Sequence, residues 1–151
     1  MNKSELVQFV KSLAPDCETR EGKQYAEALV PAESLHSLAE KLRDNEEAKF
    51  DFLVCVTGVD YGKELGCIYQ LRSTKHGHDL ILKVKTSDRE NPLFDSVTDL
   101  WKSADFLERE VYDLLGIKFT NHPDLRRLFL DNSWGFPLRK DYVDDVNIVT
   151  K

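Results

Sequence analysis

Apolar residues along this chain recur at two spacings, and the spacing changes from segment to segment. In residues 4–13, Leu6, Phe9, Val10 and Leu13 fall on one helical stripe, and Ser4 is placed to cap its start. Residues 24–30, Gln24 to Val30, read as a strand that Pro31 ends. Residues 33–44 give the clearest helix, with Leu35, Leu38, Ala39 and Leu42 on one face.

The period then drops to two. The alternation predicts three strands, with Phe50, Phe52, Val54 and Val56 on one face of the first. Leu65, Cys67, Tyr69 and Leu71 share a face of the second, and Leu80, Leu82 and Val84 a face of the third. The links Asp60-Tyr61-Gly62-Lys63 and Thr74-Lys75-His76-Gly77 are short and contain glycine, as antiparallel hairpins require. After Asn91-Pro92 the period returns to that of a helix over 95–115, with a break near Lys102-Ser103 and a stripe of Ala104, Leu107, Val111 and Leu114. Gly116 follows as a left-handed cap. From residue 117 the periodicity decays into prolines and scattered aromatics.

These elements predict an α+β fold: a two-layer arrangement of mostly antiparallel strands with helices on one face, followed by an extended C-terminal arm. The expected division is an α+β domain at 1–116 and an arm at 117–151 that packs on a partner subunit. A chain of 151 residues, 41% hydrophobic and 32% charged, is large enough to bury a core without metal or disulfide staples. The net charge is −6, and residues 1–60 hold 7 Lys/Arg against 12 Asp/Glu. No basic face of the kind a phosphate backbone needs is present, which argues against nucleic-acid binding. Cys17, Cys55 and Cys67 are too few and too scattered for a disulfide framework or an intrinsic iron–sulfur cluster. No signal peptide is visible at Met1–Leu6, and no apolar run approaches the roughly 20 residues that span a bilayer.

Candidate chemistry is sparse. His76 and His78 flank Gly77 in a hairpin tip and read as surface-turn residues, because a metal site would need further ligands. His122 beside Asp124 has no accompanying nucleophile, so capping or an interface role is the better reading. Asp105, Arg109 and Asp113 are successively four apart and read as solvated surface pairs on a helix. Pro123 suits a first helical position, and Asp124 suits the positive end of a helix dipole. A tail carrying Trp134, Phe136, Leu138, Arg139 and Tyr142 does not easily bury those groups against itself. Such residues are common interface anchors, so the arm is expected to lie on a partner.

The stretch from Glu108 to Tyr142 reads EREVYDLLGIKFTNHPDLRRLFLDNSWGFPLRKDY. Its E-R-E-x-Y-D-x-x-G-I-x-F run, then H-P-D-L-R-R, then P-L-R-K-D-Y, resembles the C-type subunit family of NADH:quinone oxidoreductase (respiratory complex I; the 30-kDa-type subunit), to which the chloroplast and cyanobacterial J-type subunit belongs. Pro92-Leu93-Phe94-Asp95 and Leu100-Trp101 fit as well. The chain departs from the family in two places. Asn121 stands where many members have Gly, and Trp134-Gly135-Phe136-Pro137 is one residue shorter than the usual W-x-G-x-P.

The resemblance implies a non-catalytic peripheral-arm subunit of a proton-translocating enzyme, supporting assembly and the D-type subunit that helps form the quinone site. It implies no catalytic, cofactor or metal residues in this chain; NADH, FMN, iron–sulfur clusters and quinone would belong to the assembled complex. It assigns His122, Asp124, Arg126, Arg127, Trp134, Pro137, Leu138, Arg139, Lys140, Asp141 and Tyr142 to the partner interface. Glu108, Arg109, Glu110, Asp113 and Gly116 are assigned to structure. The expected place is the cytoplasmic face of a bacterial inner membrane, held there by partners without direct insertion. The alternative is the equivalent subunit of an energy-converting hydrogenase or a ferredoxin-fed complex; an independent His-Asp hydrolase ranks lower.

Overall fold

A computed structural model describes residues 1–131 and 133–142. Its elements are α1 (Lys3–Leu13), β1 (Glu18–Glu21), β2 (Ala26–Leu29), α2 (Leu35–Asp44), β3 (Phe52–Asp60), β4 (Leu65–Arg72), β5 (Asp79–Thr86), β6 (Leu93–Asp95), α3 (Ala104–Leu115) and β7 (Lys118–Thr120). β1–β5 form one sheet in the order β1-β2-β5-β4-β3. All its pairings are antiparallel except β2 with β5, which is parallel because α2 and the β3–β4 hairpin intervene. β6 and β7 pair in parallel as a separate small sheet.

Period-two patterning sets which sheet face is buried. Ala26 and Ala28 pair in register with Leu80 and Leu82, and these with Leu71 and Tyr69. All six are buried, as are Leu65, Cys67 and Val84 on the same face. The helices supply Leu6 and Val10 from α1, the stripe Leu35, Leu38, Ala39 and Leu42 from α2, and Val111 and Leu115 from α3. Together they form one core covering that face.

Four details differ from the sequence reading. First, the helix expected from residue 95 begins at Ala104, and Leu93–Asp95 is strand β6. Between them, the carboxylate of Glu108 accepts from Ser96 Oγ at 2.6 Å and Val97 N–H at 3.0 Å, holding that link in a non-helical path. Second, the buried residues of β3 are Leu53 and Val56, whereas Phe52 and Val54 are exposed. The β3–β4 register shifts between Leu53 and Cys55, and one extra residue in a strand reverses which side chains face the core. Third, α1 is capped by the Asn2 side chain, which accepts from Glu5 N–H at 2.8 Å. Fourth, β1 was not expected, because its residues Glu18-Thr19-Arg20-Glu21 carry no apolar signal at an edge position.

The expected boundary at 116/117 falls between α3 and β7, and β7 pairs with β6 inside the folded body. Of the expected arm, Asn132 and 143–151 lie outside the described residues.

Candidate partner interface

Gly116 ends α3 in the left-handed region, at φ 75°, and its N–H donates to Tyr112 O at 2.8 Å. A Cβ there would lie 2.6 Å from the Phe136 ring, so glycine serves both the cap and the seat for the returning chain. Phe136 also faces Tyr112, with ring centroids 6.0 Å apart. The guanidinium groups of Arg127 and Arg139 lie over its ring at 5.1 and 5.3 Å. The segment thus packs a half-buried aromatic against its own domain, which its scattered composition did not lead one to expect.

The charged residues of α3 are not solvated surface pairs. Glu108, Arg109 and Asp113 are all buried. Arg109 turns away from its i±4 carboxylates and donates to the carbonyls of Arg126 and Arg127 at 3.4 and 3.2 Å. Asp113 accepts from Arg127 Nε at 2.5 Å and from the N–H groups of Phe129 and Leu130 at 2.8 and 3.2 Å. Burial pushes the Asp113 carboxyl up, but the Arg127 bond and the two amides outweigh it and hold the group below the usual carboxylate range. Arg127 continues to Asp113 O at the helix end and to the carbonyls of Trp134 and Gly135. For Glu108, burial wins over the Ser96 and Val97 bonds and raises its carboxyl to about 7.

Further along, Leu138 N–H donates to Leu114 O at 3.0 Å, and Arg139 Nε donates to Leu115 O at 2.6 Å. These bonds satisfy carbonyls that the end of α3 leaves open. His122 has a fully buried side chain. Its Nδ1 accepts from Asp124 N–H at 3.0 Å, so its Nε2–H donates to Asp105 O at 3.2 Å. His78, expected at a surface turn, is instead buried, with Nε2 donating to Ala48 O at 2.7 Å; the β4–β5 link folds its ring against Phe50.

The interface residues named from the sequence therefore separate into two groups. His122, Arg127 and Arg139 are engaged within the chain, and Pro137 and Tyr142 are half-buried. Asp124, Arg126, Trp134, Leu138, Lys140 and Asp141 are exposed, as is Glu110 on α3. Phe129 joins them, at 71% exposure against 59% for Leu138; it is not among the interface residues named from the sequence. Asp60, Arg89 and Ser96 were also missed. They hold this segment or α3 from distant points in the chain, and nothing in their local sequence signals that. Among the described residues no group of three or more His, Cys, Asp or Glu side chains is arranged to hold a metal ion, and no helix is long and apolar enough to cross a membrane.

Residues 28–146 match the family described as the respiratory-chain NADH dehydrogenase 30 Kd subunit. The chain belongs to this family. Within it, the protein is 40% identical over 139 residues to the NADH-quinone oxidoreductase C subunit of Moorella thermoacetica, covering 90% of this chain and 92% of that protein. It is 48% identical over 120 residues to the NADH-quinone oxidoreductase C/D subunit of Phocaeicola vulgatus, covering 78% of this chain. The matched part spans only 23% of that longer relative. Among solved structures, it is similar to a chain of the membrane-bound sulfane sulfur reductase, an archaeal respiratory membrane complex, with a TM-score of 0.79 at 24% identity. That match covers 95% of this chain and 86% of the other, and it shows the same fold.

Proposed function

We propose that this protein is a non-catalytic peripheral-arm subunit of a proton-translocating NADH:quinone oxidoreductase, which docks through its C-terminal segment on the D-type, quinone-site subunit. In this reading NADH, FMN, iron–sulfur clusters and quinone are bound by other subunits. The chain sits on the cytoplasmic face of a bacterial inner membrane through those partners. The observation that carries the proposal is a division of labour in the Glu108–Tyr142 segment. Its buried charges are spent on fixing the segment to α3, while Phe129, Trp134 and Leu138 stand exposed on that fixed frame. Large apolar groups held rigid and outward are the usual anchors of a protein interface. The longer relatives are named C/D, a C-type and a D-type part joined in one protein, which supports a D-type neighbour.

The test is capture from native membranes by a tag at Met1, with partners read by mass spectrometry. The wild-type chain is expected to recover a D-type subunit together with cluster-bearing subunits. The Phe129→Ser/Leu138→Ser variant is expected to weaken capture by at least about 30-fold, the effect of losing even one strong anchor of about 2 kcal/mol. Undiminished capture by that variant, or recovery of the wild-type chain alone from the soluble fraction, refutes the proposal.

A further inference from the structure

Three separate elements converge on residues 139–141, a stretch with no regular secondary structure of its own. Asp60 ends β3, and its side chain is 3% exposed. The carboxylate accepts from Arg89 Nη1 and Nη2 at 2.7 and 2.9 Å, from Gly62 N–H at 2.8 Å and from Lys140 N–H at 2.8 Å. Arg89, in the link between β5 and β6, reaches the segment twice more. Its carbonyl accepts from Arg139 Nη1 at 3.0 Å, and its Nη2 lies 3.6 Å from Asp141 Oδ1. The end of α3 contributes the third hold, Leu115 O on Arg139 Nε.

A two-pronged Arg–carboxylate contact fixes direction as well as distance. Here it joins the end of β3 to the β5–β6 link, and the two residues between them hold three successive residues of the returning chain. The bland alternative is that Asp60 merely stiffens its hairpin turn through Gly62. That role uses one carboxylate oxygen and needs no Arg89, so it leaves both forks of the guanidinium and its carbonyl contact unexplained. Holding a segment in its bound course before the partner arrives removes an ordering cost from association.

We infer that Asp60 and Arg89 form a clamp that sets the course of the C-terminal segment and are positioning residues for its docking. The inference rests on the reading above, that this segment meets a partner. The polar partners of Asp60 and Arg89 are Gly62 and residues 139–141, not the exposed Phe129 or Leu138 anchors, so the two ideas fail separately.

The test compares the full-length wild type with Arg89→Gln, which leaves the Asp60–Gly62 turn bond in place, and with Asp60→Asn. Amide hydrogen exchange is read at Leu138 and Tyr142, whose N–H groups donate to Leu114 O and Arg139 O and not to the clamp itself. Loss of one charge-assisted contact is expected to speed exchange at both amides on the order of 10-fold, with the core amides of Tyr69 and Leu82 unchanged. Capture of the D-type subunit is expected to fall in the same variants. Unchanged exchange at Leu138 and Tyr142 in Arg89→Gln overturns the inference. So does a matching rise at Tyr69 and Leu82, because the pair would then be holding the domain and not the segment. Freed amides with undiminished capture also overturn the positioning role, provided the Phe129→Ser/Leu138→Ser variant still loses capture. If that variant too retains capture, the partner reading itself falls.

Discussion

Replacing Glu108 with Gln should make the protein more stable, and increasingly so as the pH rises. Glu108 is fully buried, and burial raises its carboxyl from an ordinary 4.5 to about 7. Below pH 4.5 the group is protonated in both the folded and the unfolded chain and contributes no pH dependence. Between 4.5 and 7 the folded chain keeps a proton that the unfolded chain releases, so stability falls as pH rises through this window and levels off above it. At about 1.4 kcal/mol per pKa unit, the full swing is roughly 3 kcal/mol, or roughly 5–10 °C in Tm for a chain of this size. Gln reproduces the protonated acid: its amide oxygen can accept from Val97 N–H, and its NH2 can donate to Ser96 Oγ, the two partners Glu108 already has.

Other groups titrate nearby in pH. Burial lowers the pKa of His78 despite its bond to Ala48 O, which makes stability rise as pH rises towards the ordinary imidazole value. The quantity to measure is therefore the difference between wild type and Glu108→Gln, taken from denaturant unfolding at intervals from about pH 5 to about pH 8. This difference is expected to grow with pH in favour of Gln. A difference that stays constant to within about 0.5 kcal/mol across the range refutes it, because Glu108 would then not be the titrating group.

Arg127→Ala leaves the buried carboxylate of Asp113 without its cation and should cost about 3 kcal/mol or more, read as a lower Tm with the loss of ordered signals from residues 127–131 and 133–136. The Asp113 carboxyl is held low in the fold, so its contribution is present above the unfolded value of about 4. It should disappear on acidification below that value, which an acid-unfolding titration of wild type against Asp113→Asn would show. Tyr69→Phe should be neutral or stabilising by about 1 kcal/mol, since among the described residues the buried Tyr69 hydroxyl has no oxygen or nitrogen partner; a clear loss of stability would reveal a partner for it. At Gly58, where β3 meets α3, a Cβ would lie 2.3 Å from Leu115 Cδ1 and 2.9 Å from Val111 Cγ1. Gly58→Ala should therefore cost about 1–3 kcal/mol by overpacking, and an unchanged Tm would contradict that.

The alternation of β4 and β5, the stripe of α2 and the glycine cap of α3 could be read from the chain because each rests on neighbours a few residues apart. So could the α+β class and the family, which the ordered motifs of Glu108–Tyr142 carry. Apart from the α1 cap and the polar edge strand β1, what failed depended on contacts distant in sequence. The extra residue in β3 shows only against β4, and it turned Phe52 and Val54 outward. The start of α3 is delayed to Ala104 while a carboxylate on the helix itself secures Ser96 and Val97. Asp105, Arg109 and Asp113 have the spacing of surface ion pairs, yet Arg109 and Asp113 are buried because the chain returns over α3 and offers them carbonyls, amides and Arg127. By itself the sequence determined the periodic elements and the motif order, since both are properties of local spacing. Only the tertiary structure decided which charges lie inside, that Asp60 and Arg89 meet residues 139–141, and which aromatics remain exposed. A side chain's partners across 50 or 80 residues exist only once the chain has closed on itself.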